Sequence, residues 1–333
     1  MKLNKVQNAA FSLIQSDARF LYTLIDISKN AKNIKTNYIL MAQPYIGVFA
    51  DGAEQWCRKV GLNAPQFNKA EKLYYEKLRQ GHKIFEDSYE VFSNKLIENL
   101  NKSDEYFFNI RRLREKIFGY YNVGADLFNN EFCGNTILGM MYTPISFFEN
   151  PDAKIYIRNM GIIAGELAGF FNCTEFPVYK YDDINNIVKY KDYHFFKNCP
   201  LKSKDKLSLV LFSILCNINY TVEFIDKYFV DEIPQKFKFA YLQYYYLCDF
   251  IDTLNKYNNL NYQLNKSLKD RDIRNCIAHY GLGRFMKETD IIENDILKGL
   301  TYKSFNKDYY STKNILYSYL KSLSEQIKSD ILY

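Results

Sequence analysis

Residues 271–283 read RDIRNCIAHYGLG, and the way this stretch folds decides how the rest of the chain is understood. Between Arg271 and His279 it holds two arginines, an asparagine and one of only three histidines in 333 residues. Wound as a helix at about 100° per residue, Ile273, Cys276, Ile277 and Tyr280 fall within an arc of about 140° to 240° measured from Arg271. That is a buried face. The opposite face presents Arg271, Arg274, Asn275 and His279 around Ala278, with Arg274 and His279 flanking it. A residue as small as Ala278 would let a second helix or an RNA strand come close.

The residue types on the polar face suit phosphodiester chemistry. Histidine titrates near neutrality and can move a proton. Arginine offers a permanent charge in a planar fork for phosphate oxygens. Asn275 lies one turn before His279 and would orient the imidazole or the phosphate. No carboxylate cluster or Cys/His set accompanies them, so the expected chemistry uses no metal and no cofactor. The substrate would supply its own nucleophile, as RNA does through its 2′-hydroxyl. A solvated polar helix face would look the same by spacing alone, and both readings stay open at this level.

The surrounding chain reads as helix. Its low glycine and proline counts, 14 and 7, suit long helices better than a turn-rich β-fold. Downstream, 311–331 form an amphipathic helix starting at a Ser/Thr cap. Upstream, Pro234 opens a helix over 234–257, and Ser203 or Asp205 caps one over 205–229. Gly281 and Gly283 end the motif helix, and 284–308 is mixed. In the N-terminal part, helices are expected over 4–30, 67–100 with a bend at Gly81, 103–118 capped by Ser103, and 152–171. Pro44, Gly47 and Gly52 predict a turn and a short helix, and 119–150 is the least regular stretch. Residues 176–204, rich in charge and carrying Pro177 and Pro200, read as a linker or excursion. The expectation is an all-α protein: an N-terminal helical region over 1–175 of unknown role, then a helical bundle over 205–333.

The motif with its helical context resembles the HEPN domain family. RNCIAHY, Arg274 to Tyr280, is similar to that family's R-x(4–6)-H signature, and the flanking LKDRDI and GLG agree. The resemblance covers about 205–331. It implies a HEPN-like bundle and a metal-independent endoribonuclease of toxin, abortive-infection or CRISPR-type defence systems. It implies a homodimer with two motifs facing each other across one composite site. Arg274 would hold the scissile phosphate, His279 would serve as acid or base or position that phosphate, and Asn275 would support them. The products would be a 2′,3′-cyclic phosphate and a 5′-hydroxyl, from tRNA or mRNA, with an antitoxin or activating protein as a further partner. One departure matters: toxins of this family paired with a nucleotidyltransferase carry Tyr two places after the His, whereas here Tyr280 follows directly and 281 is Gly. A catalytically silent HEPN-fold adaptor that binds protein or nucleic acid is the alternative. A helical scaffold with a chance motif is a third reading, and it predicts His279 buried or tied up within its own domain.

Elsewhere, NIRRLREK (109–116) is the densest basic patch, and Arg111, Arg112 and Arg114, with Arg271, are candidate RNA contacts. The plainer reading is a solvated face paired with Asp104, Glu105 and Glu115. IRNMGIIAGE (157–166) repeats Arg-Asn at Arg158 and Asn159 but has Ile163 where a histidine is needed. His82 and His194 read as surface or capping residues. GVFADGAEQW (47–56) lacks a phosphate-loop pattern. Net charge of +6 permits a polyanionic partner without requiring one. Seven cysteines without a C-x-x-C pair suit free thiols in a reducing cytoplasm. The apolar run LSLVLFSILCNI (207–218) is too short to span a bilayer, and no membrane association is expected.

Overall fold

A computed structural model describes residues 2–30, 36–143, 162, 165–179, 186–280 and 285–333. The chain is mostly helical with one small sheet. Helices α1 (Lys5–Asn30), α2 (Thr36–Leu40), α3 (Gln43–Lys59) and α4 (Lys69–Gln80) come first. A 3-10 turn (Gly81–Glu86) leads into α5 (Tyr89–Ile110) and α6 (Leu113–Phe118). Strands β1 (Val123–Phe128) and β2 (Glu131–Asn135), helix α7 (Thr136–Tyr142) and strand β3 (Val188–Tyr193) follow. The rest is α8 (Lys206–Asn219, continuing through a π-turn to Tyr228), α9 (Pro234–Asn258), α10 (Arg271–His279), α11 (Ile296–Phe305) and α12 (Tyr309–Ile331).

The C-terminal helices start where their caps predict. Asp205 accepts the Ser208 amide at the head of α8, and Pro234 opens α9. The final helix is capped by Asp308, whose carboxylate accepts the Ser311 amide, in place of a Ser or Thr. With its π-turn, the run through Lys206–Tyr228 is long and apolar enough to cross a bilayer, contrary to the expected shortness. Yet 94% of its apolar window is buried inside the protein. It is the central core helix, flanked by β2, α5, α9 and α12.

The N-terminal expectations need more correction. The 67–100 segment is two helices: the chain tightens at Gly81–Glu86 and restarts at Ser88, whose hydroxyl accepts the Val91 amide. Ser103 caps nothing. It is buried inside α5 and donates to the Asn122 carbonyl at 3.1 Å, and the helix ends instead at Ile110. The expected all-helical region contains β1 and β2, and residues 176–204 contain β3. The sheet is antiparallel in the order β2-β1-β3. Asn129 and Asn130, both with positive φ, make the two-residue β1–β2 turn that suits strand twist. Every β1 residue is buried, so the alternation that marks a half-exposed strand is missing. The helix expected over 152–171, its helical part at 165–170 aside, and the Arg158, Asn159 and Ile163 pattern lie outside the described residues; so do Gly281 and Gly283.

Buried apolar side chains form one continuous cluster from Val6 to Ile331. Tyr45 of α3 stacks on Phe239 of α9 with ring centroids 3.7 Å apart, and Phe20 of α1 packs edge-on to the same ring. Such large buried side chains contribute about 1.5–3 kcal/mol each, so the two halves are joined by core. Helices α3 and α4 form an antiparallel hairpin in which backbone touches backbone. A Cβ on Gly47 would stand 2.3 Å from the Arg79 amide nitrogen. That contact sets where Arg79 leaves the hairpin. Gly47→Ala is expected to destabilise the protein by about 1–3 kcal/mol through overpacking, read as a lower urea midpoint; an unchanged midpoint would refute the close crossing.

Candidate active site

The motif helix α10 is capped by Asp270, whose carboxylate accepts the Asp272 and Ile273 amides at 2.7 and 3.0 Å. Its apolar face is buried as the spacing requires: Ile273, Cys276, Ile277 and Tyr280 all face the core. Arg271 and His279 are exposed, and Arg274 and Asn275 are half-buried. Ala278, expected between the polar residues, is fully buried. What approaches it is this chain's own α3–α4 hairpin. A Cβ on Gly52 would meet the Tyr280 ring at 2.9 Å, and Arg79 donates from Nη2 to the Ala278 carbonyl at 2.7 Å.

Arg79 is the partner of His279 that spacing within the motif does not reveal. It sits in α4 beside Leu78 and one turn after Tyr75, all three buried. Its Nη1 pairs with the Asp51 carboxylate, and its Nη2 also meets His279 Nδ1. An arginine within the apolar stripe of α4 is the signal that marks it in the sequence, because an arginine is rarely buried without partners. Asp51 comes from GVFADGAEQW, which is a helix and no phosphate loop.

Positive charge collects around His279. Loss of water on the side of the ring that faces the hairpin lowers its pKa to about 4, and Arg79, Arg274 and Lys83 lower it in turn, with Asp51 opposing. The ring is therefore neutral at pH 7. Arg274 lies over the rings of Tyr245 and Tyr246, 5.2 and 5.9 Å from their centroids, which suits a cation on aromatic faces. Its Nε is buried without a hydrogen-bond partner, and among the described residues Arg274 and Lys83 form no ion pair. His82, expected at the surface, is buried. Its Nδ1 donates to the Arg79 carbonyl, and its ring meets Tyr246 edge-on at 5.7 Å. His194 is buried too, between Tyr120 and Asp104.

The end of α10 is anchored from behind. Tyr280 takes the left-handed conformation, φ 45°, a strain of about 1–2 kcal/mol for a residue with a side chain. Its hydroxyl donates to Asp17 of α1 and receives Lys238 Nζ of α9 at 3.0 Å. Lys238 also pairs with Asp17, which accepts Gln235 Nε2 at 2.8 Å. Burial pushes the Asp17 carboxyl up and the Lys238 ammonium down from their ordinary values.

The other candidates do not join this site. Arg111, Arg112 and Arg114 stand at the far end of α5, whose 22 residues span about 33 Å; its first turn is the part that meets α9, through Phe92 and Phe250. Arg111 is 3.9 Å from Glu115. Asp104 instead accepts Tyr120 and Asn122 at 3.0 and 2.8 Å, so the expected Asp104 pairing is replaced. Arg112 begins α6, and Arg114 is exposed on it. No disulfide joins any of the seven cysteines, and burial raises the Cys276 thiol to about 12.

No known protein family, no curated protein and no solved structure matches this chain.

His82 gives a stability prediction. Burial, ahead of the nearby cations, holds its pKa at about 3, against about 6.5 in the unfolded chain. Between those values the unfolded chain binds more protons, so this stabilising contribution is complete above the upper value and is lost as pH falls. From about pH 7 to pH 5 the loss is about 2 kcal/mol. Urea unfolding at both pH values should show it, and His82→Gln should be less pH-sensitive by that amount; equal sensitivity would refute the assignment.

Proposed function

We propose that the chain is a metal-independent endoribonuclease centred on Arg274 and His279. The observation that carries this reading is the convergence of Arg274, Lys83, Arg79 and a neutral His279 at one place, with Asp51, the carboxylate that opposes them, already held by Arg79. Such a place attracts a phosphodiester. The 2′-oxygen of RNA would bond to phosphorus and the bond to the 5′-oxygen would break. Solvent water takes the 2′-hydroxyl proton and returns one to the 5′-oxygen, leaving a 2′,3′-cyclic phosphate and a 5′-hydroxyl. Arg274, with an unsatisfied buried Nε, is the group proposed to hold the phosphate, and Asn275 the group to support it.

The HEPN-like fold, the tRNA or mRNA substrate, the homodimer and the defence setting with an antitoxin or activator follow from the resemblance of RNCIAHY to that family. The exposed Arg271–His279 edge is the surface through which two copies would meet. One observation favours the reading of a helical scaffold with a chance motif, which expects His279 to be tied up: Arg79 already fastens His279 Nδ1 within the chain.

Purified wild type, Arg274→Ala and His279→Ala, incubated with mixed tRNA and total RNA in EDTA, separate the readings. Cleavage by wild type with cyclic-phosphate ends, reduced at least about 100-fold in His279→Ala, supports the ribonuclease. Equal residual cleavage by all three proteins would remove it. RNA binding without cleavage in every protein would favour the adaptor. A wild type that cleaves as a monomer would remove the second copy.

A further inference from the structure

The nitrogen of His279 that faces its own chain is not free to take a proton. Arg79 Nη2 donates to the Ala278 carbonyl and meets His279 Nδ1, while Nη1 is held by Asp51. A guanidinium carries donors only and has no acceptor to offer. The ring nitrogen opposite it must accept. A neutral imidazole has one N–H, so an accepting Nδ1 places the hydrogen on Nε2. We infer that Arg79 is a positioning residue that locks His279 as the neutral Nε2–H form, so that His279 serves a bound phosphate as a hydrogen-bond donor and not as the base that takes the 2′-hydroxyl proton.

Most of the charge acting on the ring agrees with this assignment. Arg79 from α4, Lys83 from the 3-10 turn and Arg274 from α10 itself each oppose protonation, while Asp51 from α3 favours it. The donation breaks no bond, so it demands no proton acceptor within the site. Tyr280, anchored to Asp17 and Lys238, fixes the backbone beside His279 and limits how far the ring can leave Arg79. The role toward phosphate rests on the ribonuclease reading; the tautomer does not.

The test uses the full-length protein with ¹⁵N-labelled histidine, and long-range proton–nitrogen correlation of its three imidazoles, assigned with His279→Asn. In wild type near neutral pH, His279 should show Nε2 protonated and Nδ1 bare, with a titration midpoint well below the ordinary value of about 6.5. In Arg79→Gln the midpoint should rise by about one pH unit or more, with both tautomers present. An Nδ1–H wild-type ring, or an ordinary wild-type midpoint, overturns the inference even if Arg79→Gln fails to fold by circular dichroism. An unchanged midpoint in a folded Arg79→Gln overturns the role of Arg79. Wild type that cleaves no RNA yet shows Nε2–H strikes the ribonuclease reading and leaves the tautomer standing. Wild type that cleaves RNA with Nδ1–H does the reverse. If both hold, the cleavage rate of wild type should stay flat as pH falls through about 6.5.

Discussion

Asp17 and Lys238 form an ion pair with almost no access to water, at 4% and 1% exposure. Withdrawing both charges from solvent costs several kcal/mol each, and the burial-driven shifts of both groups toward neutrality express that cost. The pair survives because its remaining valences are filled. Gln235 donates to Asp17, and the Tyr280 hydroxyl bridges the two charges. The partners come from α1, from α9 and from the residue that ends α10. None of the three helices can shift without leaving a buried polar group unmatched. Through this constraint the first helix of the chain holds the end of the motif helix.

The anchored end explains how a left-handed tyrosine is tolerated beside His279. Glycine or asparagine usually takes that position. Here the ring of Tyr280 packs against Gly52, and its hydroxyl is needed by the buried pair. The strain sits next to the proposed catalytic residue, where rigid support is most useful.

The same packing concentrates cations. Arg79, Arg274 and Lys83 act on one imidazole and Asp51 opposes them. Their concentration leaves a surplus of positive charge there, and it adds to the burial that keeps His279 neutral.

Much of this was legible in the sequence. Pro234 and Asp205 announce their helices because capping is local chemistry. The buried face of Ile273, Cys276, Ile277 and Tyr280 follows from helical period alone. The strand VGADLF was not legible, because a strand buried on both faces has no alternation; only its Asn-Asn turn was a signal. Ser103, read as a cap, lies inside a helix because the Asn122 carbonyl offered its hydroxyl a partner. The sequence by itself determined which face of the motif helix is polar and which residues stand on it. The tertiary structure alone decided that Arg79, held by Asp51, meets His279 across 200 residues of chain, because no local rule governs a contact made when the α3–α4 hairpin packs on α10.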